Sequence, residues 1–237
     1  MDTVGVIDHQ NAQFINPAKA QLADLSQYTT PALEWLMMEH YQFSLRNTRF
    51  LADAATTTGA FDTPAVRLEL TRNFNEESGH AVMYKAALKQ VGVDVDTREE
   101  FIPTTRFLET IGELVARDPS FVLGAMFATE TAAIFEHEVF HDVSAEIIAR
   151  RGLGERGAAL MHFHDMHLDG VEQSHRDELG IFLRGLDPSL RRVERAGDRP
   201  TIEPQQAVGG AEAAITAMTQ WWAELFTELR ARSQAAA

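Results

Sequence analysis

Helical periodicity with no competing strand signal constrains this chain more than any other feature. Apolar residues recur three and four apart through long segments, and apolar–polar alternation never persists. The punctuation agrees. Thr30-Pro31, Thr63-Pro64 and Asp118-Pro119 each set a polar residue before a proline, as helix starts prefer. The pattern predicts helices over Thr30–Thr56, Thr63–Gln90, Thr104–Arg117, Pro119–Arg151, Glu155–Leu183 and Glu203–Ser233. Trp35, Met38, Phe43, Phe50 and Leu51 supply the apolar side of the first, and Trp221, Trp222, Leu225 and Phe226 that of the last. Residues 1–29 read as an arm with one short helix after Pro17. Residues 185–202 read as a polar connection, and the alanines at 235–237 as a frayed end. Residues 30–237 are then one domain, an all-α antiparallel bundle whose long helices run about 40 Å.

Composition narrows the chemistry. The formal net charge of −14 argues against nucleic acid as a partner, because phosphate contacts need basic surface. The chain has no cysteine, so thiolate zinc, iron–sulfur ligation and a thiol nucleophile are excluded. Any metal must be held by His and carboxylate. The longest apolar run, about Phe121–Phe135, is interrupted by Thr129, Glu130 and Thr131 and is too short for a bilayer. The start, Met1–Gln10, lacks the basic and apolar parts of a signal peptide. A cytoplasmic protein without membrane partners is expected.

Nine histidines are present, and eight fall in the predicted long helices. Two Glu-x-x-His pairs stand out, Glu77 with His80 and Glu172 with His175, since residues three apart share a helix face. Paired Glu-x-x-His helices plus a Glu from each of two others are how bundles hold two irons or manganeses. Depth supplies the rest, because antiparallel helices place residues equidistant from their turn at one height. The mirror of His167–Glu172–His175 across the turn near 153 falls at Glu136; the mirror of Glu77 and His80 across the turn near 60 falls close to Glu39. The predicted metal set is therefore Glu39, Glu77, His80, Glu136, His167, Glu172 and His175. Glu130 competes with Glu136, six residues or roughly 9 Å away along the axis. Glu76 competes with Glu77, and His162 and His164 with His167. His137 and His141 share a face with Glu130, as outer partners or as polar surface.

His167 and Glu172 are five residues apart, which a regular helix would turn away from each other by about 140°. One extra residue taken up as a π-bulge would bring them together, and Gly170 would ease it.

These residues resemble a known family. The stretch N-F-N-E-E-S-G-H-A-V-M-Y-K-A-A-L from Asn73 to Leu88 is similar to the second-helix motif of the haem-oxygenase-like diiron oxidases. H-L-D-G-V-E-Q-S-H resembles their last ligand helix, usually His-x-x-x-Asp-x-x-His, with Glu for Asp and one residue more. The resemblance covers roughly residues 30–185. It implies a bundle of about seven helices that binds two Fe(II)/Fe(III) ions and no haem, with O2 as co-substrate. It implies an enzyme that N-oxygenates a small amine or amino-acid-derived substrate in a biosynthetic pathway, since N-oxygenating members tend to have a first-helix carboxylate, a part Glu39 could take. Oxidative C–C cleavage or decarboxylation of an amino or fatty acid is the alternative. An external electron donor and a homodimer are compatible with it. Met38, Tyr41 and Phe43 could line the substrate pocket, and Arg46 and Arg49 could hold a substrate carboxylate. Readings outside the family are a ferritin-like bundle, a thiaminase-like enzyme (many of which use a Cys this chain lacks) and a non-catalytic binding module.

Overall fold

A computed structural model describes residues 2–184 and 201–235. Among them the secondary structure is helical throughout: α1 (Thr3–Gln21), α2 (Thr30–Thr58), α3 (Ala65–Glu77), α4 (His80–Gln90), α5 (Ile102–Leu114), α6 (Pro119–Arg151), α7 (Ala158–Met166), α8 (Glu172–Leu183) and α9 (Pro204–Ala235), with short 3-10 turns between some of them. A π-turn over His167–Val171 joins α7 to α8, and α3 and α4 are parted only by Ser78-Gly79. Taking each interrupted pair as one rod gives seven rods, as expected. Most of the polar connection over 185–202, and the last two alanines, lie outside the described residues.

α6 is the axis of the bundle. It is apolar nearly all round, which suits a helix enclosed by others, and it packs against α1, α2, α8 and α9. Its start has Asp118 as N-cap and Pro119 in the first turn; its end has Gly152 at φ +61, whose N–H and that of Leu153 close onto Ala149 and Ile148. Gly124 lets α9 approach, since a Cβ there would strike the Ala207 backbone.

Two expectations are corrected. The N-terminal arm is a 19-residue helix that begins well before Pro17 and contains it. Val4, Ile7, Phe14 and Ala18 are buried in the core, so α1 is part of the bundle. The second helix breaks at Ser78-Gly79, where Gly79 takes φ +104, a conformation glycine reaches without the Cβ penalty. Glu77 and His80 therefore face each other across a bend, rather than along a continuous helix. No helix of the described residues is long and apolar enough to cross a membrane.

Candidate metal centre

The bend between α3 and α4, the π-turn between α7 and α8, and the middle of α6 meet at one depth. Three triads form there: Glu77, His80 and His167; His137, His167 and Glu172; Glu77, Glu172 and His175. In each, one ligand atom per residue lies within 4.8 Å of the others. The expected π-bulge is present, with Asp169 at ψ 20 and Gly170 at φ +104. It brings His167 and Glu172 inward together, with His167 Nε2 4.0 Å from Glu172 Oε1.

Each imidazole is oriented through one of its nitrogens, which decides what the other can do. His167 Nδ1 is 2.6 Å from the Phe163 carbonyl, one turn back, so it carries the proton and leaves the Nε2 lone pair inward. That Nε2 lies 3.1 Å from His80 Nδ1, which is itself 3.0 Å from Glu77 Oε2. His175 donates Nε2–H to Glu76 at 2.8 Å, and Arg72 pins Glu76 at 2.8 and 3.0 Å. Its Nδ1 then faces Glu130 and Glu172, at 3.7 Å from each.

The cluster is short of positive charge and of donors. Burial pushes the Glu172 carboxyl up to about 8, against the pull of His175, and Glu130 and Glu77 add to the rise. Burial opposes the charged form of His175, but Glu130 and Glu172 prevail and raise it to about 11. Among the described residues, Glu77 Oε1 is buried with no hydrogen-bond partner. A buried carboxylate oxygen without a donor, near the inward Nε2 lone pair of His167, is the environment a divalent cation completes. The donor set of carboxylate and imidazole suits iron or manganese.

The structure brings together Glu77, His80, His167, Glu172 and His175. It does not bring Glu39. That residue is buried on α2, bound to Arg98 Nε and Nη2 at 2.8 Å each and to Thr104 Oγ1 at 2.7 Å, with Trp221 Nε1 donating to the same hydroxyl at 2.9 Å. Its side chain turns toward α5 and α9 instead. Glu136 lines the same cavity as the cluster but is held by Trp222 Nε1 at 3.0 Å and lies 3.7 Å from His40 Nε2. Burial pushes its carboxyl up to about 7, opposed by the Trp222 bond. Glu130, the competitor, is the α6 carboxylate that faces His175.

Glu76 serves as the outer partner of His175, while His162 is exposed and half-buried His141 faces Asp165 at 3.3 Å. Behind the cluster lies a buried layer of rings that joins His137, expected as an outer partner or polar surface, and His164, expected as a rival of His167, to His40, which the sequence reading missed. His137 stacks on His167 at 3.9 Å and faces His164 Nδ1 at 3.2 Å. His40 stacks on Phe140 and meets the Tyr84 hydroxyl at 3.1 Å. Burial holds His40 down to about 3, helped by His167, and holds His137 and His164 well below their usual range. The place of His40 beside Glu39 on α2 was the available signal. Arg46 and Arg49 line a separate groove against α5, together with Arg98 and Glu109.

Neither family models nor curated proteins match the sequence. Solved structures do. A CADD-like protein of unknown function from Nostoc punctiforme superposes with a TM-score of 0.70 at 22% identity, covering 94% of this chain and 97% of its own. A domain of unknown function with a heme oxygenase-like fold from Shewanella denitrificans gives 0.67 at 16% identity, covering 95% and 92%. A TenA homolog from Pseudomonas syringae pv. tomato gives 0.66 at 15%, covering 95% and 91%. The fold is haem-oxygenase-like, as the motifs implied.

Proposed function

We propose that this haem-oxygenase-like bundle is a non-haem diiron oxygenase that N-oxygenates a small amine or amino-acid-derived substrate. The observation that carries the reading is the overlap of the triads. Glu77 and Glu172, whose carboxylates each offer two oxygens, both belong to two of them, which is the sharing that two neighbouring ions need. Glu77, His80 and His167 would hold one ion, and Glu130, Glu172 and His175 the other, with Glu77 or Glu172 reaching both. The carboxylates offset the ionic charge that burial would otherwise penalise. When bound, such a pair of irons activates O2, with electrons from an external donor.

The protein's own part is orientation and exclusion. The Phe163 carbonyl fixes the His167 tautomer, and the Glu76–Arg72 pair fixes that of His175. His40, His137 and His164 stay neutral at physiological pH and, with Tyr84, Phe140 and Phe163, wall the site from water. A dry, low-dielectric wall keeps oxidising equivalents on the substrate.

The test is anaerobic loading with Fe(II), metal quantification, then stopped-flow absorption on mixing with O2 and a screen of amines. About two irons per chain are expected, with a transient visible band. Glu77→Ala with His80→Ala should abolish both. Failure to bind iron, or unchanged binding in the double variant, would leave a helical binding module instead.

A further inference from the structure

Away from the metal cluster, α1 and α9 pack side by side and leave a groove between them. At one end Phe14 and Trp222 share a contact with the Phe135 ring. At the other, Arg230 reaches across to Gln21. The groove has a volume of about 340 Å³, within the range of small-molecule sites. Along α9 its lining runs from Thr219 to Arg230, roughly 16 Å at the rise of a helix. Its floor, Phe14, Ala18, Trp222 and Phe226, is buried, and Pro17 and Ala223 form exposed rims.

The polar groups along this trough are already committed, except at one end. The Trp222 Nε1–H is spent on buried Glu136 at 3.0 Å. The Thr219 and Thr227 hydroxyls donate one turn back, to the Ile215 and Ala223 carbonyls at 2.7 and 2.9 Å. At the far end Arg230 Nη1 donates to Gln21 Oε1 at 3.1 Å. That bond occupies the amide oxygen, so the corner is left with guanidinium N–H groups and the Gln21 NH2, which are donors only. The Gln21 backbone carbonyl beside them accepts from the Tyr28 hydroxyl at 3.0 Å. Acids outnumber bases 35 to 21 in the chain, yet among the described residues none lines this groove. Arg232 has Glu228 at 2.9 Å; Arg230, two residues earlier, has a neutral amide and no carboxylate among the described residues.

We infer that the groove between α1 and α9 is a binding site for a small anionic amphiphile, its aliphatic chain along the trough and its head met by Arg230 and Gln21. An apolar trough favours hydrocarbon, and a planar guanidinium with open N–H groups favours an anionic oxygen pair. The volume equals about eleven liquid waters, enough for a chain of about eight carbons with its head. The site is distinct from the metal cavity: Trp222 lines the groove, Glu136 lines the cavity, and their hydrogen bond is the partition. The inference does not rest on the metal reading.

The experiment uses the metal-free full chain. 8-Bromooctanoate is titrated in, and its bromine quenches tryptophan fluorescence when it lies against Trp222. Octanoate, octyl sulfate, octanol and octylamine then compete, all below the concentrations at which they aggregate. Quenching should saturate. Octanoate and octyl sulfate should each displace the probe about tenfold better than octanol, the gain of a charge-assisted hydrogen bond, and octylamine should be the weakest. Arg230→Gln should bring octanoate down to the level of octanol and leave octanol unchanged, whereas Arg230→Lys should keep most of the preference. Ala223→Phe should fill the trough and abolish quenching. All three positions changed are exposed side chains or their rim, so circular dichroism and Tm should stay parental. Sedimentation at rising protein concentration runs alongside. Quenching that does not saturate, octanol or octylamine competing as well as octanoate, or an unchanged response in both Arg230→Gln and Ala223→Phe would overturn the inference. So would a dimer that Ala223→Phe dissociates and octanoate leaves intact, which would assign the groove to a second copy of the chain.

Discussion

Glu39 and Glu77 are both buried carboxylates in one bundle, and their surroundings differ in kind. Glu39 receives two bonds from Arg98 and one from Thr104, whose hydroxyl accepts from Trp221 in turn. Every partner is spoken for, and the knot ties α2 to α5, α9 and the loop before α5. Glu77 has one oxygen on His80, the other on no partner among the described residues, and a second acid, Glu172, close by. A buried charge with a full set of donors is architecture. A buried cluster rich in acceptors and poor in cations is incomplete, and incompleteness held in place by the fold marks a binding site.

The largest expected effect breaks the first half of this contrast. Glu39→Ala strips Arg98, 13% exposed at its side chain, of its counter-charge. Breaking such a pair from one side costs about 3–5 kcal/mol. Urea unfolding should show that loss while iron stoichiometry stays at the parental value. A fall in bound iron in the folded variant would instead return Glu39 to the ligand set.

The next effect is pH-dependent and belongs to the metal-free protein. His40 is held at about 3 against an ordinary 6.5, chiefly by burial and then by His167. Its folded value is depressed, so the unfolded chain takes up a proton first as pH falls. The associated stability is complete above 6.5 and is lost progressively toward 3. His40→Phe keeps the stacking position on Phe140 and removes the proton uptake. Between those limits the variant should lose less stability than the parent, by a few kcal/mol. Parallel curves of Tm against pH would refute this account of His40.

These contrasts also show how much was legible beforehand. Helix starts at Pro31 and Pro119 were readable because proline's fixed φ and missing N–H suit a first turn. The π-turn was readable because a five-residue spacing between two inward groups, with Gly170 between them, has few other solutions. Height along an axis was readable in part: it put Glu136 on the cavity that the cluster lines. Azimuth was not. Arg98, the partner that claims Glu39, lies 59 residues along the chain, and Trp222, which claims Glu136, lies 86. Glu130 and Glu136 are six residues apart, turned by about 120° about α6, and both line the cavity; which of them meets His175 only the packed neighbours decide. The α3–α4 break was signalled by Gly79, but a lone glycine inside a helical pattern is often tolerated.

A smaller effect separates the cluster from its support. Glu76 is 42% exposed at its side chain, so Glu76→Ala should barely change folding. It does remove the group that fixes His175. Loss of such an outer partner typically lowers metal affinity about 10- to 100-fold. Competition with a chelator should show that drop. Unchanged affinity would mean that Glu130 and Glu172 alone set the His175 ring.

The smallest effect tests whether the π-turn is there for the site or merely tolerated. Gly170 sits at φ +104 with open space where a Cβ would go, so Gly170→Ala introduces backbone strain without a clash. Gly152, at φ +61 beyond α6, also has open space and stands at a plain helix end. Either alanine should cost about 1 kcal/mol through the same left-handed penalty. Only Gly170→Ala should also weaken iron binding, because relief of its strain means unwinding the extra residue that sets His167 against Glu172. Equal thermal shifts with unequal iron affinity would tie the π-turn to the metal site. Equal loss in both measurements would reduce it to a local irregularity of the α7–α8 rod.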